Sequence, residues 1–66
     1  MKHTEVSSRM IRSIGWDNNQ MEVTFRNGTT YVFDDVPHEK ALELLNATSV
    51  GKHFIKHFRD KGASRA

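Results

Sequence analysis

The chain has 66 residues, a net charge of +2 and no cysteine. A chain of this length forms one domain and buries only about 60% of the surface that its unfolded form exposes, so its stability as a monomer is marginal. The lack of cysteine excludes disulfides and thiolate metal sites, and no apolar run approaches membrane-spanning length, so a cytoplasmic protein is expected.

The first predicted element is a strand from Met10 to Trp16, which ends at the turn-forming residues 17–19. Ile11 and Ile14 stand three positions apart, so a flat strand would point them to opposite faces. If both side chains belong to the core, a β-bulge must lie between them.

A hairpin follows, with strands at residues 20–26 and 29–34. A two-residue turn would place Tyr31 and Phe33 on the polar face, as a platform on which bases could stack. A three-residue loop at residues 26–28 would instead pair Val23 with Tyr31 and Met21 with Phe33, which puts all large apolar groups on one face. The second register is favoured, because a sheet covered on one side needs its apolar faces to coincide.

Two helices follow Pro37, which suits a first helical position. The first reaches about Ala47 and the second runs from Val50 to about Lys61, with Ser49 as its N-cap. The side chains expected on their apolar faces are Ala41, Leu42, Leu44 and Leu45 in the first helix, and Val50, Phe54, Ile55 and Phe58 in the second.

The sequence therefore predicts an α+β fold, a three-stranded antiparallel β-meander followed by two C-terminal α-helices packed on one face. Residues 6–61 are assigned to this single domain, and residues 1–5 and 62–66 to flexible termini.

Several short segments, in this order, resemble the KTSC domain: Val6-Ser7-Ser8, Ile14-Gly15-Trp16-Asp17, Val23-Thr24-Phe25 with Gly28, Tyr31-Val32-Phe33, Val36-Pro37, and Ser49-Val50-Gly51 with Phe54. The resemblance extends from Val6 to Arg59. The family is named for its occurrence at the C-terminus of some lysyl-tRNA synthetases, and it also occurs as free-standing bacterial or phage proteins. Two positions depart from its pattern: Phe33 replaces the second tyrosine of Tyr-x-Tyr, and Trp16 stands where tyrosine is usual. The resemblance implies a role in RNA binding.

The charge distribution indicates the same kind of partner. Residues 1–49 carry five cations and seven anions, whereas residues 50–66 carry five cations and one anion. Lys52, Lys56 and Arg59 fall four and three apart along one side of the second helix, with Lys61 beyond them. We expect a non-catalytic module that binds RNA through these four residues, with lesser contributions from Arg26 and a partly exposed Trp16.

Two alternatives stay open. A small domain with several aromatic residues is also typical of a module that binds a protein partner or a second copy of itself. A phage-type protein that binds a nucleotide would place its phosphate at Ser49 and Gly51, where the second helix begins.

Metal binding and catalysis are not expected. His53 and His57 have the four-residue spacing of a two-histidine ligand pair, and Asp60 follows three residues later, but His3 and His38 are remote in sequence. Ser7 and Ser8 have no identifiable histidine and carboxylate partners, so no nucleophile is predicted and no cofactor is implied.

Overall fold

The computed structural model describes residues 2–58 and the backbone of residues 63–65. The strands are β1 (His3–Glu5), β2 (Ile11–Asp17), β3 (Gln20–Phe25), β4 (Thr30–Phe33) and β5 (Ala63–Arg65), and the helices between β4 and β5 are α1 (His38–Leu45) and α2 (Val50–Phe58). All neighbouring strands pair antiparallel, in the order β1-β2-β3-β4-β5.

The α+β class with two helices after a meander is confirmed, but the prediction of three strands is wrong. Four strands precede the helices, and a fifth follows them. The two missed strands, β1 and β5, have three residues each and lie in segments assigned to the termini. Such short, polar strands have no alternation of apolar residues, and they exist because β2 and β4 offer backbone groups to pair with.

The central hairpins have the predicted turns. Asn18 and Asn19 both adopt positive φ between the paired residues Asp17 and Gln20. Gly28, at a φ of 92°, closes the second hairpin. Asparagine and glycine reach this region at low cost, which explains their place in the turns.

The register and the bulge are both confirmed. Val23 pairs with Tyr31 and Met21 with Phe33, as the three-residue loop requires. The β2–β3 register shifts between Ile11 and Ser13, and both Ile11 and Ile14 are buried. The aromatic side chains of β4 therefore face the core, where Phe33 contacts Phe54 and Phe58 of α2 at ring-centroid distances of 5.6 and 5.9 Å.

The helices cover one face of the sheet through Ala41, Leu44, Val50, Phe54 and Phe58. Leu42 and Ile55, expected in the apolar stripes, are instead exposed, at 42% and 46%. Each follows a buried residue by one position, a rotation of about 100° that turns it away from the sheet.

The helix boundaries differ slightly from the prediction. Pro37 lies one residue before α1 in an extended conformation, and Asn46 ends this helix. Ser49 is the N-cap of α2, since its hydroxyl accepts a hydrogen bond from the Lys52 N–H at 3.4 Å. Neither helix of the described residues has the length and apolar character needed to cross a bilayer.

Candidate nucleic-acid interface

The segment between β1 and β2 is held against the first turn of α2. The Ser8 hydroxyl accepts hydrogen bonds from the N–H groups of Met10 and Ile11, both at 3.2 Å. On its other side lies Gly51, where an added Cβ would stand 3.4 Å from the Ser8 oxygen. The segment that contains Ser8 and the first turn of α2 are therefore in close contact at Gly51.

Arg26 fixes the same segment from the hairpin side. Its guanidinium donates from Nε to the Ser8 carbonyl at 3.1 Å and from Nη2 to the Val6 carbonyl at 3.2 Å. The backbone N–H of Arg26 also donates to the Met10 carbonyl at 3.0 Å. The predicted binding residue Arg26 therefore positions this segment while remaining exposed.

An open groove of about 400 Å³ runs between residues 7–10 and residues 48–55. Arg9 and Lys52 supply two cations, and hydroxyl groups come from Ser7, Ser8, Thr48 and Ser49. None of the described residues lining this basic groove is a carboxylate. Positive charge together with hydroxyl donors is the chemistry that recognises a phosphate.

The basic groove brings together several of the predicted residues. Ser49, Gly51 and Lys52 line it, and the exposed Lys56 lies one turn further along α2. Arg59 and Lys61 lie outside the described residues.

Trp16 is in a different place. Its Nε1–H donates to the Val36 carbonyl at 2.7 Å, and its half-buried ring contacts the His38 ring at a centroid distance of 4.6 Å. It lies near the end of β2, six residues beyond Met10, or about 20 Å along an extended chain. The structure does not join Trp16 to the basic groove.

Arg9 is the cation of the groove that the sequence analysis does not predict as a binding residue. It belongs to an irregular segment and to no periodic row. Its nearness to Lys52 results from the tertiary contacts of Ser8 and Arg26, which no local pattern reveals. In the sequence, the only local indication of a role for Arg9 is that it directly follows Ser7-Ser8, one of the segments that resemble the KTSC domain.

His53 and His57 lie on another side of α2, at the edge of a cavity of about 270 Å³ that Asp35, Lys40 and Glu43 also line. Their ring centroids are 4.3 Å apart. Desolvation, then the neighbouring His57, lower the pKa of His53 below its ordinary 6.5, and Glu43 acts in the opposite direction. This cavity contains both signs of charge and is less suited to a polyanion than the basic groove.

The face of the sheet away from the helices carries a polar network. The His3 ring reaches across Gly15, its partner in β2, to Glu22 of β3. The distance from His3 Nε2 to Glu22 Oε1 is 2.7 Å, and that from His3 Nδ1 to the Ser13 hydroxyl is 2.9 Å. Because a carboxylate only accepts, Nε2 donates to Glu22, and Nδ1 of a neutral ring accepts from Ser13. The network secures β1 to the sheet.

Comparison with known proteins identifies the family. The sequence matches the KTSC domain over residues 7–61. The chain belongs to the KTSC domain family. A KTSC domain protein from Yersinia pestis has a crystal structure that superposes with a TM-score of 0.92 at 29% identity, over 98% of this chain and 96% of that one.

A relative from Stutzerimonas stutzeri (strain A1501), described as an uncharacterized protein, is 39% identical over 61 residues, covering 89% of this chain and 86% of its own length. The KTSC resemblance found in the sequence is thus confirmed, and the fold is shared with the Yersinia pestis KTSC domain protein. The matched region contains all the described residues of the basic groove.

Proposed function

We propose that this KTSC domain is a non-catalytic module that binds single-stranded RNA by its phosphate backbone, along the basic groove and the exposed row of lysines on α2. The observation that carries the proposal is the composition of the groove. Its described residues include two cations and four hydroxyl groups but no carboxylate.

The arrangement suits a chain of phosphates better than a single small anion. Arg9 and Lys52 lie at the groove, and Lys56 continues the positive charge along α2. All three side chains are exposed, so they can follow a flexible strand without desolvation of a buried charge. The apolar side chain of Ile55 lines the same groove and offers a surface against which a base can pack.

The choice of RNA over DNA rests on the family association with lysyl-tRNA synthetases. Phosphate contacts alone do not distinguish the two polymers, whereas the hydroxyl groups of Ser7, Ser8, Thr48 and Ser49 offer partners for a ribose 2′-OH. We therefore expect a short RNA to bind more tightly than DNA of the same sequence and length.

The proposal is tested by the salt dependence of binding in a matched pair of variants. Lys52→Ala with Lys56→Ala removes two cations from the proposed site, and Lys2→Ala with Lys40→Ala removes two exposed cations elsewhere. Fluorescence anisotropy with a labelled 12-nucleotide RNA gives the affinity over a range of salt. The slope of log K against log salt should become shallower by about 0.7 for each phosphate that the variant no longer neutralises.

The control pair should retain most of the parent slope. Equal slopes for both double variants would contradict the proposed site. Thermal stabilisation by mononucleotides, with no binding of the RNA, would replace the RNA proposal with nucleotide binding in the same groove.

Self-association is a second candidate, favoured by the exposed apolar side chains of Leu42 and Ile55. Sedimentation velocity at high micromolar concentration tests it. A mass that rises with concentration in the parent, but not in Leu42→Glu or Ile55→Glu, would support a dimer, and a constant monomer mass would reject it.

A further inference from the structure

A second group of side chains with possible chemistry, the imidazoles of His53 and His57, lies on the side of α2 that faces α1. His53 and His57 occupy successive turns, and their rings approach to a centroid distance of 4.3 Å with an angle of 37° between the ring planes. His53 is half-buried and His57 is exposed. Two imidazoles four residues apart on one helix face are the spacing with which helices chelate a metal ion.

The cavity beside the pair contains charged groups of both signs. Both rings line the cavity of about 270 Å³, which also contains the carboxylates of Asp35 and Glu43. Lys40 lines the cavity 3.7 Å from Glu43, and Lys56 of α2 is a second cation near His53; both side chains are exposed.

We propose that His53 and His57 together bind a divalent first-row transition metal of the imidazole-preferring class, such as Cu²⁺, Ni²⁺ or Zn²⁺. Imidazole nitrogen is a preferred ligand of these metals, and their affinities for a given site follow the order Ni²⁺ < Cu²⁺ > Zn²⁺.

The site has two protein ligands and open positions. Among the described residues no group of three histidines or carboxylates has the geometry to hold a metal ion. The proposed site therefore leaves the remaining coordination positions to water, and Asp35 and Glu43, which line the same cavity, are the carboxylates that could accept hydrogen bonds from it. A site of this kind exchanges its metal readily, unlike a closed four-ligand structural zinc site.

The other two histidines are engaged elsewhere and serve as controls. His3 bonds to Ser13 and Glu22, and His38 lies against Trp16. His38→Ala removes one imidazole without touching the proposed site, whereas His53→Ala and His57→Ala each break the chelate.

The test uses the full 66-residue chain without a histidine tag. Zn²⁺ is added stepwise to the ¹⁵N-labelled protein, and the shifts of the amide signals are recorded by residue. Isothermal titration with Zn²⁺ then gives the affinity of the parent and of each variant. We expect shifts centred on residues 53–57, reversal by EDTA, and at least tenfold weaker Zn²⁺ binding in His53→Ala and His57→Ala but not in His38→Ala.

Zn²⁺-induced shifts centred on His3 or His38, or equal Zn²⁺ affinities in the parent, His53→Ala and His57→Ala, would overturn the proposal. Because the RNA site lies on another side of α2, the RNA affinity of His57→Ala in EDTA should equal that of the parent. The two proposals can therefore fail separately.

Discussion

His3 shows how one side chain can secure an edge strand. Its ring lies across Gly15, a buried position without a side chain, and bonds to both Ser13 and Glu22. His3→Ala removes both hydrogen bonds, one of them to a carboxylate, so we expect the free energy of unfolding to fall by about 1–2 kcal/mol. Urea denaturation measures this, with the exposed neighbour Lys2→Ala as the control. Equal midpoints would show that the network adds nothing to stability.

The titration of His53 follows from its surroundings. Its pKa is lowered by desolvation and by His57 and raised by Glu43, so its NMR titration in EDTA should have a midpoint below 6.5. His57→Ala should raise this midpoint because it removes a neighbouring positive charge that disfavours the protonated form of His53. Glu43→Gln should lower it further because it removes a negative charge that favours that form. A midpoint at or above 6.5 in the parent would contradict this account of the environment of His53.

At the scale of elements, a substitution at Gly51 is expected to change the stability of the domain and its RNA affinity in opposite directions. It is a helical residue on the groove side of α2, and an added methyl would meet Ser8 at 3.4 Å, an ordinary contact distance. Gly51→Ala should raise the free energy of unfolding by up to about 1 kcal/mol because alanine favours helix, while the methyl narrows the groove and weakens RNA binding.

The contrasting variant is Ser49→Ala, which removes the N-cap and should lower the free energy of unfolding by about 1 kcal/mol. Thermal denaturation and anisotropy of both variants give the comparison. If Gly51→Ala is more stable and binds RNA as tightly as the parent, the groove is not the path of the RNA.

The elements also show which parts of the structure are readable from the sequence. The β3–β4 register and the β2 bulge could be predicted because Val23, Phe33 and Ile14 must all reach one core. Strands β1 and β5 could not, because a three-residue edge strand depends on its partner's backbone. The same limit applies to the site: Lys52 belongs to a helical row, whereas Arg9 reaches the groove only through tertiary contacts.

At the scale of the whole molecule, the charges are unevenly distributed. The outer face of the sheet carries the carboxylates of Glu5 and Glu22, and α1 carries Glu39 and Glu43, whereas Arg9, Lys52 and Lys56 lie at the groove side of α2. A polyanion is therefore expected to approach from the groove side of α2, and its long-range attraction should decline as salt screens the charges. Because the chain is small, one short RNA can cover the basic groove and the lysine row together.

The most direct test of the RNA proposal is a two-dimensional amide NMR titration with a short single-stranded RNA, at low and at physiological salt. We predict shifts in residues 7–10 and 49–56 that become smaller as salt rises, with the signals of His3, Ser13 and Glu22 unchanged. No shifts at low salt, or shifts confined to the outer face of the sheet, would contradict the account and show that the basic groove does not bind RNA.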